Sequence, residues 1–393
     1  VLSVGVFTYS TKPRGSVVHA MSLAEALVAA GHHATLYALA KPGASLHRTP
    51  ACPVELIAAA EAPPDADALI RQRIGELVAG IERLGVKHDV FHAQDCLVAS
   101  ALLSLRPKGL GPVVRTVHHV ERFESPYLEE CQRRSICDAD ALMSVSRATQ
   151  RDVLKTFGRP SQLVHNGVDC DRFATRYRAV EDRLRSRYRI SATDVVVLSV
   201  GGVEPRKNTL LALHAVAAAH GRVPTLRWIV VGDHSIWDHS AFVARFEEER
   251  ARLPAALRER IFRAGTIPEE ELTSLYAMSD VLLCPSREEG FGLCVLEAMA
   301  AGAAVVAPGR APFDEYLDDS CAALVDPDSV TSVAAALAAL GEDRGRRLAL
   351  ADAARMRAWS FSWSRSADEH LGHYRRFCSG ATWPVETGGM THA

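Results

Sequence analysis

Short apolar runs alternate with helix-spaced segments along nearly the whole chain, in two successive series. In the first series, runs at 2–8, 34–39, 89–92, 112–117 and 141–145 read as strands. Between them, 17–30, 66–84, 96–105, 125–137 and 147–156 carry apolar residues at helical spacing; Val18, Met21, Leu23, Leu27 and Val28 line one helix, and Gly31 stops it. The second series has strands at 195–200, 226–231, 261–264, 280–284, 303–307 and 322–325, and helices at 207–220, 240–253, 268–277, 291–301, 329–340 and 343–358. Such strands need cover on both faces, and crossover helices supply it. The pattern therefore predicts an α/β chain with parallel, doubly wound sheets. Two series predict two Rossmann-like domains, over 1–190 and 191–360. A last helical stretch at 361–378 follows, then a Gly/Thr-rich tail from Gly380 that frays. The stretch 172–192, with Arg172, Arg176, Arg178, Arg183, Arg185, Arg187 and Arg189, reads as a solvated linker helix. Parallel sheets bind ligands at the carboxyl ends of their strands, so the two domains are expected to face one central cleft, with the chemistry in strand-to-helix loops.

Composition removes several classes of function. A hydrophobic share of 48% and a charged share of 23% over 393 residues exclude a disordered chain. With 45 Lys and Arg against 47 Asp and Glu there is no electrostatic footprint for nucleic acid. The balance is uneven: residues 1–190 carry a net +5 and residues 191–393 a net −7. No run of apolar residues is long enough to span a bilayer. The nine cysteines are odd in number and show no C-x-x-C spacing, which predicts reduced thiols. Val1-Leu-Ser-Val-Gly-Val reads as a first strand with no signal-peptide pattern, so a cytoplasmic location is expected, with weak peripheral contact at the inner face of the membrane permitted by the basic first half.

The richest loop is 285–308. A strand ends at Cys284, a polar loop follows, Gly290 and Gly292 bracket Phe291, and a helix begins. Glycines at a helix start let a ligand approach the backbone, and the free N–H groups there favour an anion such as phosphate. Glu289 precedes the helix and Glu297 lies within it. Carboxylates beside a phosphate site suit sugar hydroxyls, whose hydrogens they accept. A second loop, Gly201-Gly202-Val-Glu-Pro-Arg206-Lys207-Asn208, places two cations at a helix start, where they oppose the dipole; a diphosphate would explain them. A third, Thr8 to Gly15, joins the first strand to the first helix. A fourth, Arg115-Thr-Val-His118-His119, ends a strand, as does His92-Ala-Gln-Asp95.

The spacing Glu289-x7-Glu297, with Gly-Phe-Gly inside it and Glu-Ala-Met-Ala-Ala-Gly following, resembles the signature of the retaining glycosyltransferase family 4. The likeness extends over residues 2–378. It implies the GT-B fold, with the last helix crossing back onto the first domain. It implies a nucleoside diphosphate sugar (a UDP- or GDP-sugar) as donor, a hydroxyl acceptor, and no tightly bound cofactor; no metal is expected, because no D-x-D stands at a strand end and Asp138-Ala-Asp140 lies at a helix end. It implies that Glu289 contacts the donor sugar and that Glu297 binds the ribose hydroxyls, with Gly290, Phe291, Gly292 and Leu293 framing the donor. Lys207 matches the family's diphosphate-binding Lys. The family's Arg position is Gly202 here, Asn208 replaces a Gly, and Arg206 is the candidate substitute for the missing cation. Gly15 alone matches the family's Gly-rich first loop. His118 matches a His near the reacting centre, while His119 stands where an Asp is usual. Ile267, in Gly265-Thr-Ile-Pro268, falls in the loop that holds the nucleotide base. Asn166-Gly-Val-Asp169 resembles the turn before the interdomain linker, and Phe361-Ser-Trp363 the start of the last helix, with Trp363 read as packing. The implied reaction retains configuration by a front-face path in which the departing phosphate oxygen takes the acceptor proton. A sugar phosphorylase, a sugar-nucleotide epimerase and a non-catalytic sugar-nucleotide sensor are the rival readings.

Overall fold

The computed structural model describes residues 1–232 and 239–380; the tail expected to fray lies, from residue 381, outside the described residues. The chain forms two compact units, Val1–Gly167 with the stretch from Trp363, and Val168–Ser362.

The first unit runs β1 (Ser3–Thr8), α1 (Gly15–Ala29), β2 (His33–Ala40), β3 (Val54–Ala58), α2 (Ala66–Leu84), β4 (Val90–Ala93), α3 (Cys96–Leu105), β5 (Val113–Val117), α4 (Pro126–Cys137), β6 (Ala141–Ser144), α5 (Arg147–Phe157) and β7 (Gln162–Leu163). Its strands form one parallel sheet of seven, in the order β3-β2-β1-β4-β5-β6-β7. The central strands are largely apolar on both faces because both faces are covered, with His92, Arg115 and Thr116 as buried polar exceptions. Val4, Val6 and Val114 join the apolar side of α1, while Phe7, Phe91 and Val113 join α2 and α3. Side-chain caps begin four of these helices: Asp65, Asp95, Ser125 and Ser146 each accept a first-turn N–H.

The second unit starts with α6 (Cys170–Ala174) and α7 (Arg178–Arg187). It continues through β8 (Val195–Val200), α8 (Thr209–His220), β9 (Leu226–Val231), α9 (Ser240–Ala251), α10 (Ala255–Arg258), β10 (Ile261–Gly265), α11 (Glu269–Met278) and β11 (Val281–Leu283). It ends with α12 (Leu293–Ala301), β12 (Ala304–Pro308), β13 (Ala323–Val325), α13 (Val330–Glu342) and α14 (Arg344–Ala358). Six parallel strands are ordered β10-β9-β8-β11-β12-β13. The last helix, α15 (Trp363–Cys378), belongs to the first unit, where Ala367, Leu371 and Tyr374 share a core with Leu23 and Leu27 of α1.

The two parallel, doubly wound sheets and the return of the last helix agree with the sequence. The boundary differs. The expected division near residue 190 falls inside the second unit; the chain enters that unit at Val168 and leaves it at Ser362, and these two residues bridge each other. The segment 172–192 is not a solvated linker. Phe173, Val180 and Leu184 are buried, and Arg187 and Arg176 pair with Glu271 and Glu181. Two edge strands, β3 and β7, and the single turn α10 carry no apolar run long enough to be read from sequence.

Candidate active site

In each sheet the strand order reverses once, between β1 and β4 and between β8 and β11. Loops on either side of such a reversal diverge and leave room at the strand ends for a ligand. In the second unit the two loops are those singled out by sequence. Pairing of β11 with β8, Val281 opposite Val197, brings the loop after Val200 beside the loop after Leu283.

There Lys207 Nζ donates to Glu289 Oε1 at 2.6 Å, and Arg206 Nη1 donates to Glu289 Oε2 at 3.0 Å. The Glu289 side chain is 8% exposed and that of Lys207 13%. Burial alone would raise the Glu289 carboxyl. Lys207, Arg206 and hydrogen bonds from Lys207 and Ser286 outweigh it and bring the pKa down to about 2. Burial disfavours the Lys207 ammonium, but Glu289 beside it holds its pKa above the ordinary value. Arg206 Nη1 also donates to the Glu288 carbonyl at 3.1 Å.

Backbone geometry makes this cluster fit. Gly201, Gly202 and Gly232 all have positive φ, at 124°, 79° and 117°. A Cβ on Gly201 would stand 2.4 Å from Lys207 Cε, so the lysine stem runs through the space a side chain would fill. Asn208 has φ 56°, the left-handed conformation that Gly adopts freely and Asn tolerates. This explains how Asn can stand where the family has Gly. Its amide also ties the loop down, donating to the carbonyls of Pro285 at 3.2 Å and Pro327 at 2.6 Å.

Helix α12 begins at Leu293, after Gly292 at φ 92°. Glycine has no side chain with which to cap it; Val295 N–H donates to the Gly292 carbonyl at 2.9 Å, and no side chain of Gly292 takes the first N–H groups, the position at which an external anion is favoured. Gly290 precedes it in the same loop. Leu293 is half-buried at the helix start. Phe291, expected to frame a ligand, turns its ring into the core, 2% exposed and 5.0 Å from the Tyr316 ring, while Tyr316 Oη donates to its carbonyl. The two flanking glycines allow this inward turn. Glu297, one turn into α12, accepts a 2.6 Å hydrogen bond from Tyr276 Oη. Burial raises its pKa to about 7, against the Tyr276 hydrogen bond, which lowers it. Ile267 is half-buried just before α11. Nothing in the sequence marked Tyr276, one aromatic among the apolar positions of α11.

In the first unit Gly15 is the exposed first residue of α1, with open space where a Cβ would sit. His118 follows β5 and is half-buried; its Nε2 lies 3.0 Å from Gln94 Oε1. An amide oxygen only accepts, so Nε2 carries the proton and Nδ1 is the acceptor. Burial, helped by His19 and Arg115, holds the imidazole well below its usual pKa and therefore neutral. His19 stands edge-on to it, ring centroids 5.0 Å apart, and donates from Nδ1 to Asn166 Oδ1. His119 is exposed and paired with Glu121. His92 is wholly buried between Thr116 and Tyr374. Asp95 caps α3 through Val98 N, and burial raises its pKa to about 6. Trp363 packs against His19, a packing role as expected.

Two family descriptions match the chain in succession: Glycosyltransferase Family 4 over residues 13–172 and Glycosyl transferases group 1 over residues 180–357. A D-inositol 3-phosphate glycosyltransferase of Corynebacterium jeikeium is 27% identical over 384 residues, covering 93% of this chain and 85% of that one. A GDP-mannose-dependent alpha-(1-6)-phosphatidylinositol monomannoside mannosyltransferase of Mycolicibacterium smegmatis is 32% identical over 249 residues, 61% of this chain and 62% of its own. Among solved structures, sucrose-phosphate synthase from Thermosynechococcus elongatus superposes with a TM-score of 0.78 at 20% identity, covering 97% of this chain and all of that one. Anabaena HepE in complex with UDP and glucose gives 0.73 at 18% identity over 95% of this chain and all of its own. At these identities the structural likeness shows the fold, which is GT-B.

Proposed function

The chain belongs to glycosyltransferase family 4 and is a glycosyltransferase, and from that premise we propose that it moves a sugar from a nucleoside diphosphate sugar to an acceptor hydroxyl with retention of configuration. One observation carries the reading. Two cations converge on the buried Glu289 carboxylate beside the uncapped start of α12, at the strand-order reversal of the second unit. In the unliganded site Glu289 neutralises Lys207 and Arg206. A donor diphosphate supplies the negative charge in its place, and the freed carboxylate accepts hydroxyl hydrogens of the donor sugar. Glu297, inside α12, takes the ribose hydroxyls, and Ile267 lies by the base. The UDP complex of HepE and the GDP-mannose dependence named for the mycobacterial relative support a nucleoside diphosphate donor.

In the step proposed, the bond from the anomeric carbon to the diphosphate oxygen breaks and a bond to the acceptor oxygen forms on the same face. The acceptor proton passes to the departing phosphate oxygen. Lys207, Arg206 and the α12 N–H groups stabilise the charge that builds on the diphosphate, and such preorganised stabilisation is commonly the largest catalytic term. His118, neutral and held by Gln94, serves the sugar as a hydrogen-bonding group and not as a cation. The inositol phosphate named for the corynebacterial relative supports a polyol or sugar acceptor.

A thermal-shift panel of UDP, GDP, ADP and their sugars, followed by donor hydrolysis with the ligand that stabilises, tests this. Glu289→Gln and Lys207→Met should each lower turnover on the order of 100-fold. Inverted product stereochemistry, or a sugar ester isolated on Glu289, would overturn the front-face path.

A further inference from the structure

The loop that carries Glu289 is bracketed by two cysteines for which the transfer reaction has no use. Cys284 directly follows β11, and Cys294 is the second residue of α12. Both are buried, at 6% and 8% exposure, and their sulfurs are 4.0 Å apart, in van der Waals contact. Ser286 Oγ lies 3.5 Å from Cys284 Sγ. The other described cysteines have no such partner among the sulfur contacts of the structure; Cys321 and Cys378, for example, meet only backbone carbonyls.

We infer that Cys284 and Cys294 form an oxidative modification site, at which a small hydroperoxide closes a disulfide across the base of the donor loop. The inference about its effect rests on the function proposed above; the pairing itself does not. Contact between the two sulfurs leaves only about 2 Å to travel to the S–S bond length of about 2.05 Å. A thiolate is the nucleophile in such a reaction. The hydrogen bond with Cys294 lowers the Cys284 pKa against burial and the Glu289 carboxylate, with smaller help from Lys207 and Ser286, whereas Cys294 is held well above the usual thiol range. Cys284 Sγ, which alone of the two has the Ser286 hydroxyl beside it to steady a thiolate, is the attacking sulfur. Its thiolate takes the terminal oxygen of the hydroperoxide, the O–O bond breaks, and a sulfenic acid forms with release of water or an alcohol. The Cys294 sulfur then displaces hydroxide from Cys284, which leaves as water with the proton of the Cys294 thiol. Two thiols lose two electrons and two protons, and the peroxide bond is the group reduced.

The closed disulfide would pull the end of β11 toward the first turn of α12. Everything between them shifts with it, including Glu289, Gly290 and Gly292. The carboxylate would lose its alignment with Lys207 and Arg206, and the helix start would turn from the ligand it faces. A bound donor, filling the same loop, should slow the oxidation.

Trypsin provides the test, because Arg287 lies between the two cysteines and cleavage places them in separate peptides, 264–287 and 288–310. The full chain is treated with hydrogen peroxide, with and without UDP or GDP, alkylated, and digested without reductant. The expected result is the two peptides joined, lighter than their sum by two hydrogens, with donor hydrolysis reduced at least tenfold and restored by dithiothreitol. Cys294→Ala should form no linked peptide, and its turnover should resist peroxide; Cys284→Ser guards against a folding defect in the first variant. Absence of the linked peptide, or a linked protein with unchanged turnover, would overturn the inference. A reduced protein that shows no donor turnover while still forming the link would instead count against the glycosyltransferase reading and leave the pairing standing.

Discussion

Replacing Lys207 with Met keeps most of the stem and removes the charge that Glu289 depends on. The expected cost can be worked from the carboxylate. Its pKa falls from the usual 4.5 to about 2; at about 1.4 kcal/mol per unit, the native surroundings favour the ionised form by about 3 kcal/mol. Lys207 is the largest favourable contributor, and Arg206 remains at 3.0 Å after the substitution. Breaking a fully buried pair typically costs 3–5 kcal/mol, so with one cation left the loss should be about 2 kcal/mol at pH 7. The sign with pH is fixed. A carboxyl with a depressed native pKa contributes stability above its unfolded value and loses it as pH falls through the native one. The deficit of Lys207→Met should therefore shrink as pH drops from 4.5 toward 2. The assay is urea unfolding of wild type, Lys207→Met, Glu289→Gln and the double variant, with the m-value checked for constancy. A coupling energy of about 2 kcal/mol at pH 7 is expected between the two positions. Coupling below about 0.5 kcal/mol, or a deficit independent of pH, would show that the pair is no stronger than a solvated surface contact and would refute the reasoning.

Three further outcomes follow from neighbouring geometry. Tyr276→Phe removes the hydrogen bond that lowers the Glu297 pKa, so the carboxyl should titrate above its present value of about 7; the pH midpoint for donor affinity should rise by about one unit, and an unmoved profile would contradict the role given to Tyr276. Gly201→Ala puts a Cβ 2.4 Å from Lys207 Cε at a φ of 124°, so donor turnover should fall about as far as in Lys207→Met; wild-type turnover would show that the stem can pass elsewhere. Asn208→Leu should lower stability by more than Asn208→Gly, by about 1–2 kcal/mol on chemical denaturation, since both lose the two carbonyl contacts but only Leu strains at a φ of 56°; equal losses would mean the backbone is not constrained there.

Much of the fold could be read along the chain because the signals that carry it are local. A buried parallel strand must be apolar over several successive residues, and an amphipathic helix must repeat its apolar face every three to four. Helices α2 and α3 begin and end where that periodicity does. β3 escaped because it is an edge strand with Glu55 and Leu56 exposed, and β7 because it is two residues long. The site was legible to the extent that its residues cluster in sequence. Glu289 and Glu297 share one loop and helix, and Arg206 and Lys207 adjoin at a helix start, so local position and the family resemblance single them out. The inward turn of the Phe291 ring is not legible, because spacing does not show which way a ring turns.

The sequence by itself determined the element types, the presence of two doubly wound sheets, and the residues that carry charge at strand ends. Only the tertiary structure decided which of those residues meet. Lys207 and Glu289 are 82 positions apart and touch because β11 pairs with β8 and not with β10. The same structure placed the boundary at Gly167, where Val168 bridges Ser362; it falls inside the Asn166-Gly-Val-Asp169 turn, which the family resemblance marked but composition did not. Propensity and capping act over a few residues. Strand order and unit boundaries are settled by which faces can be buried together, and that choice involves the whole chain at once.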